Sequence, residues 1–147
     1  MIRVVVAGAA GKMGQAVCEA VEEAEDTVLA GRADPALGAE LGELLGEADV
    51  VVDFTVPDTA LDNVRACLAA GVHVVVGTTG FDLEAAREAA ERSQANCFVA
   101  PNFAIGAVLM MELAQRIAAH MPECEIVELH HDSKLDAPSG TAKRTAE

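Results

Sequence analysis

The stretch that decides the fold is Ile2–Gly14, "IRVVVAGAAGKMG". A β-branched run ending on glycine is the pattern of a strand buried on both faces. Gly8, Gly11 and Gly14 then follow at a spacing of three, and "MGQAVCEAVEEA" repeats Met13, Val17 and Val21 on one helical face. A strand that turns through glycine into a helix opens a dinucleotide-binding α/β unit. The usual spacing is GxGxxG; GxxGxxG is a variant with the same physics. Glycine permits a tight turn and close backbone approach, and the helix N-terminus offers unpaired N–H groups at the positive end of a dipole. A pyrophosphate fits there, and Lys12 adds a cation. The plain alternative is a tight corner with no ligand. Asp34 weighs against it, because it ends the second strand 20 residues past Gly14, where an acid can hold an adenosine ribose.

The alternation continues outward from this unit. "TVLAGRAD", "DVVVDFT", "VHVVVGTTG" and "NCFVAPNF" read as strands. Between them lie a Gly-interrupted helical piece, "PALGAELGELLGEA", a helix with Pro57 near its start and Gly71 past its end, and a helix that Asp82 can cap. A longer apolar helix, "AIGAVLMMELAQRIAAHM", and a sixth strand, "CEIVELHH", complete the pattern. The expectation is a Rossmann-like parallel α/β sheet with helices on both faces, followed by the start of a second α+β substrate domain. The character changes near Phe103–Ile105, which divides a dinucleotide-binding domain, 1–104, from the second domain, 105–147. Ligands of such sheets bind beyond the carboxyl ends of the strands. Here those ends carry glycine, threonine, asparagine or aspartate.

Composition narrows the function classes. The chain has 147 residues, 52% of them hydrophobic, with four Phe and no Trp or Tyr, so its core is aliphatic. Ten basic against 24 acidic residues leave a net charge of −14, which disfavours nucleic acid and anionic membranes as partners. No run reaches the ~18 apolar residues of a membrane span, and the expected location is the cytoplasm. Cys18, Cys67, Cys97 and Cys124 have neither CxxC spacing nor a histidine at ligand spacing, so no metal site is expected.

One further stretch holds groups that handle protons and anions: "ELHHDSKLDAPSGTA", with His130, His131 and Lys134 before a turn into a helix. Histidine titrates near neutrality and can protonate a carbanion-like or enamine intermediate, and lysine is a point charge or second donor. Ser139, Gly140 and Thr141 start the helix, where free N–H groups and two hydroxyls suit a carboxylate or phosphate. A polar surface loop with exposed histidines is the alternative reading, and the added cation and anion cradle favour a site.

The segments "VAGAAGKMG", "DFTVPD", "VVGTTGF", "APNFAIG" and above all "ELHHDSKLDAPSGTA" resemble the bacterial 4-hydroxy-tetrahydrodipicolinate (dihydrodipicolinate) reductase family of the diaminopimelate route to lysine. The resemblance runs from Ile2 to Glu147 and its last motif is highly specific. It implies reduction of a cyclic dicarboxylate by NADH or NADPH in a cytoplasmic homotetramer. The family's cofactor loop falls on Gly8, Ala9, Ala10, Gly11, Lys12 and Met13, with Asp34 as the ribose acid. Its nicotinamide-side loops fall on Gly77, Thr78 and Thr79 and on Ala100, Pro101, Asn102 and Phe103. His130 takes the place of the proton donor and Lys134 of the second catalytic group. His131, Ser139, Gly140 and Thr141 meet the substrate carboxylates, with Thr79 near one of them.

Lys12 stands where many members have Arg, and Pro35 where some do; with Asp34 this points to NADH preferred or dual use. The resemblance also implies a longer chain, C-terminally incomplete here. A non-catalytic NAD(P)H-binding module is the competing reading. A dehydrogenase with a cysteine nucleophile is another, disfavoured because Cys97 falls inside a strand.

Overall fold

The computed structural model describes residues 1–121, 123–130, 132 and 137–147. Internal contacts divide them into two units, Met1–Ala100 and Pro101–Glu147.

The first unit is built on five parallel strands: β1 (Ile2–Ala7), β2 (Thr27–Ala33), β3 (Val50–Asp53), β4 (His73–Val76) and β5 (Cys97–Val99). Their order across the sheet is β2-β1-β3-β4-β5. The chain leaves β1 toward one edge and returns past it toward the other. Right-handed crossovers therefore place helices on opposite faces. On one face α1 (Lys12–Glu23) covers Val4 and Val6 with Cys18, Val17 and Val21. On the other, Val5, Ala7 and Val51 pack with Val64, Cys67 and Leu68 of α3 (Pro57–Ala69) and Ala86 of α4 (Leu83–Glu91). Alternate residues of β1 thus enter two different cores, which is why the run is uninterrupted valine and not an apolar–polar alternation. Burial of each such valine contributes about 1.5–3 kcal/mol.

The helix ends follow local chemistry. Pro57 occupies the first turn of α3, where its missing N–H costs nothing. Gly71, just past that helix, takes φ +72°, open to glycine and strained for other residues. Asp82 caps α4 by accepting from the Ala85 N–H at 3.0 Å. The "PALGAELGELLGEA" segment is not one helix. It forms a 3₁₀ turn at Pro35–Leu37, a single α-turn, α2 (Leu41–Leu44), and a second 3₁₀ turn at Leu45–Glu47. Gly38 at φ +68° ends the first turn, and Leu41, Leu44 and Leu45 still reach the core on the α3 face.

The second unit contains α5 (Ile105–Ala118) and α6 (Gly140–Ala146), which pack together. The expected sixth strand is not formed: Cys124–His130 belongs to no ladder among the described residues. A strand exists only with a partner for its backbone groups, and Ile126, Val127 and Leu129 are exposed. No helix among the described residues is long and apolar enough to cross a membrane.

Candidate functional site

The strand ends of the first unit meet in one tightly packed layer. Gly8 closes β1 at φ +77°, and a Cβ there would lie 2.6 Å from the Phe54 carbonyl oxygen. A Cβ on Gly14 would overlap the Gly8 carbonyl, and one on Gly77 would overlap the Phe54 ring. Gly8 and Gly77 thus meet Phe54 of the loop after β3, Gly14 meets the backbone of its own turn, and at Gly8 the positive φ selects glycine as well.

The turn itself is ordered by hydrogen bonds. Gly8 and Ala9 donate to the Ala33 carbonyl at 2.9 and 3.3 Å, and Gly11 donates to that of Gly8 at 3.0 Å. Gly11 then starts α1 with no side-chain cap and no acid in the first turn. The first intrahelical donor is Gln15, so the N–H groups of Lys12, Met13 and Gly14 carry the open positive end of the helix. Asp34 is fixed beside them. Its Oδ2 accepts from Ala10 N–H at 3.0 Å and its Oδ1 from Ala36 N–H at 2.9 Å. A carboxylate accepts about four hydrogen bonds, so Asp34 keeps capacity for two vicinal hydroxyls. A cleft of about 420 Å³ opens here, lined by Gly8, Gly11, Asp34, Phe54, Thr55 and Asn63 among others. It sits at the point where strand order reverses, the crevice expected of doubly wound sheets. No Lys or Arg lines it. Arg32, a second nearby cation in the sequence, is tied at 2.9 Å to Glu22 of α1.

Beside this cleft lies a cluster that the sequence reading did not single out. Asp53, the last residue of β3, is fully buried. Its Oδ1 accepts from Thr55 N–H (2.9 Å), Thr55 Oγ1 (2.7 Å) and Thr78 Oγ1 (3.1 Å), and its Oδ2 from Asn63 Nδ2 (2.8 Å). The signal was present in "VVVDFT": a carboxylate closing an all-valine run is rarely buried without dedicated partners. Thr78 is buried, while Gly77 and Thr79 are half-buried.

Of the loop Ala100–Phe103, Ala100 belongs to the first unit and the other three residues to the second. In the second unit, Asn102 accepts from Ala104 N–H at 2.8 Å and donates to Thr141 Oγ1 at 3.2 Å. It lines a cleft of about 440 Å³ with His130, Ser139, Thr141 and Glu128. The His130 Nδ1 lies 3.8 Å from Glu128 Oε2. Ser139, nearly buried, donates its N–H to both Glu128 oxygens at 3.0 and 3.2 Å and accepts at Oγ from Ala142 N–H at 3.1 Å. Part of the expected anion cradle is thus already engaged, with Gly140 and Thr141 left to offer backbone donors. Glu128 is a second residue absent from the sequence reading; its position two residues before His130 was the available signal. His131 and Lys134 lie outside the described residues.

Burial raises the Cys97 thiol above its ordinary range, and burial pushes that of Cys67 up to about 12. Neither thiol is thereby favoured as a thiolate, which counts against Cys97 as the nucleophile of the competing dehydrogenase reading. No three His, Cys, Asp or Glu side chains among the described residues are grouped to hold a metal.

Two family models match the chain: dihydrodipicolinate reductase, N-terminus, over residues 2–103, and dihydrodipicolinate reductase, C-terminus, over residues 106–147. The chain belongs to the dihydrodipicolinate reductase family. It is 51% identical over 150 residues to the 4-hydroxy-tetrahydrodipicolinate reductase of Cutibacterium acnes, covering 99% of this chain and 60% of that protein. It is 52% identical to the one from Thermobifida fusca, with coverages of 100% and 60%. Among solved structures, a dipicolinate-bound dihydrodipicolinate reductase from Paenisporosarcina sp. TG-14 superimposes with a TM-score of 0.77 at 40% identity, over 99% of this chain and 64% of that one. The chain spans about 60% of the length of these two curated relatives. The myo-inositol 2-dehydrogenase of Lactobacillus plantarum, at 10% identity and a TM-score of 0.60, shares the fold.

Proposed function

We propose that this chain carries the nicotinamide-dinucleotide site and the first part of the substrate site of a 4-hydroxy-tetrahydrodipicolinate reductase. The observation that carries the reading is the glycine turn: Gly8 and Gly14 leave no room for a Cβ, and Asp34 is held at the turn by the Ala10 N–H. The pyrophosphate lies on the open N–H groups of Lys12, Met13 and Gly14, and Asp34 accepts from the adenosine ribose. The loops Gly77–Thr79 and Ala100–Phe103 face the nicotinamide half. When bound, the cofactor supplies hydride to the ring of the cyclic dicarboxylate. His130 delivers the accompanying proton and Lys134 supports it. His131, Ser139, Gly140 and Thr141 grip the substrate carboxylates, with Thr79 near one of them, and Glu128 orients both Ser139 and His130.

NADH is the preferred cofactor. Asp34 repels a 2′-phosphate, no cation lines the cleft, and Arg32 is engaged by Glu22. The whole protein is read as a cytoplasmic homotetramer on the family resemblance.

Thermal unfolding tests the assignment. NADH at a hundred times its Kd stabilises a binding fold by about 2.7 kcal/mol, or roughly 5–10 °C in Tm for a chain of this size. A further rise on adding dipicolinate to the NADH-bound protein is the expected result. Absence of any shift with NADH refutes the dinucleotide site. A shift with NADH alone refutes the substrate site in this chain and leaves a non-catalytic nucleotide-binding module.

A further inference from the structure

We infer that Asp53 is a positioning residue of the dinucleotide cleft, holding the loops after β3 and β4 so that the Thr78–Thr79 segment meets the second nucleoside of the ligand. The inference rests on the dinucleotide reading above. Asp53 is fully buried and is not among the residues lining the cleft, so it acts through others. Its partners come from three segments: Thr55 in the loop after β3, Asn63 in α3 and Thr78 in the loop after β4. Thr55 and Asn63 line the cleft themselves.

A buried carboxylate is costly unless its acceptor sites are used. Here four donors use them, and no ion pair to Lys or Arg is formed among the described residues. The backbone reinforces the arrangement, because Gly77 N–H donates to the Asp53 carbonyl at 2.9 Å and the Phe54 ring occupies the space a Gly77 side chain would need. The Thr78 hydroxyl lies 3.1 Å from Asp53 Oδ1 and 3.2 Å from the Thr55 carbonyl, so its single proton joins the two loops.

Topology says which half of the ligand this concerns. Asp34, at the end of β2, lies on one side of the glycine turn; β3 and β4 lie on the other. A dinucleotide with its pyrophosphate on α1 and its adenosine ribose at Asp34 extends its other nucleoside over the ends of β3 and β4. Asp53 therefore governs binding of NADH while leaving ADP-ribose, which lacks the nicotinamide, nearly unaffected.

The test is a double-mutant cycle on the full chain, titrated with NADH and with ADP-ribose. Asp53→Asn keeps one acceptor oxygen but sets an amide N–H against the Asn63 donor. Thr78→Val keeps the shape and loses the hydroxyl, and Thr78→Ser keeps the hydroxyl. The expected result is a rise of about ten-fold in Kd for NADH in Asp53→Asn and in Thr78→Val, as for one hydrogen bond to a charged group. The double variant should match the worse single variant, because both break one connection. Thr78→Ser should stay within about three-fold of the unsubstituted chain, and ADP-ribose affinity should change less than about two-fold throughout. Unchanged NADH affinity, an equal loss for ADP-ribose, or additive losses in the double variant would each overturn the inference; additivity would mean that the Thr78 hydroxyl acts on the ligand by itself. Should circular dichroism show Asp53→Asn unfolded, the Thr78→Val and Thr78→Ser pair decides by the same criteria. Failure of the unsubstituted chain to bind NADH refutes the dinucleotide reading, and this inference with it.

Discussion

Replacing Gly14 by alanine puts the contact argument to a quantitative test, because helix propensity and packing make opposite predictions. Gly14 sits in the first turn of α1, where alanine is intrinsically better by up to about 1 kcal/mol. The added Cβ, however, would overlap the Gly8 carbonyl and lie 2.8 Å from the Ala9 Cα. Both obstacles are backbone, so no side-chain rotation relieves them, and overpacking of this kind costs roughly 1–3 kcal/mol. The net expectation is a loss of about 1–2 kcal/mol, or a Tm lower by roughly 2–8 °C, with NADH binding weakened because the turn must open. Gly42→Ala is the matched control: it lies in α2, exposed, and an added methyl there would meet nothing within 4 Å. There propensity acts alone, and a gain of about 0.5–1 kcal/mol follows. Paired urea and thermal unfolding curves measure both. If Gly14→Ala is as stable as Gly42→Ala, the close approach of the first turn of α1 to the Gly8–Ala9 backbone is not what selects glycine.

Asp34→Asn should weaken NADH about ten-fold while NADPH binds as well or better, since the charge that repels a 2′-phosphate is gone; fluorescence titration of the two cofactors checks the ratio. His130→Ala should lower turnover by about a hundred-fold or more with NADH affinity nearly unchanged, read by steady-state and binding measurements together. At the opposite end of the strands, the Arg3 guanidinium, 2.7 Å away, holds the Asp49 carboxyl down to about 2 from 3.8. Its folded pKa lies below the unfolded value, so the stability it contributes is present above about pH 4 and lost as the pH falls toward 2. Asp49→Asn should lower the neutral plateau of a Tm-against-pH curve slightly and flatten its acid limb, so that the two curves converge as the pH falls toward 2.

The parts of the fold that are legible in the sequence are those decided by neighbours along the chain. The β-branched runs, the glycine turn with Asp34 at the next strand end, Pro57 and Gly71 bounding α3, and Asp82 capping α4 all act within a few residues or one βαβ unit. The segment 35–47 reads as a Gly-interrupted helical piece, and the structure breaks it into three short turns, the first ended by Gly38 at φ +68°. Cys124–His130 has strand composition, and composition cannot supply the neighbouring ladder a strand requires.

By itself, then, the amino-acid sequence determined the alternation of strands and helices, the glycine turn, the aliphatic core and the histidine–lysine stretch, since each is a matter of local periodicity or spacing. Only the tertiary structure decided that Asp53 gathers Asn63 and Thr78 along with its neighbour Thr55, that Arg32 is engaged by Glu22, and that Ser139 is already held by Glu128. Apart from the Thr55 contact, these are pairings across 10 or more residues, and they form because segments distant in sequence are brought side by side. A buried carboxylate finds its donors among whatever the fold places within hydrogen-bond reach, and that list is written in no single stretch of chain.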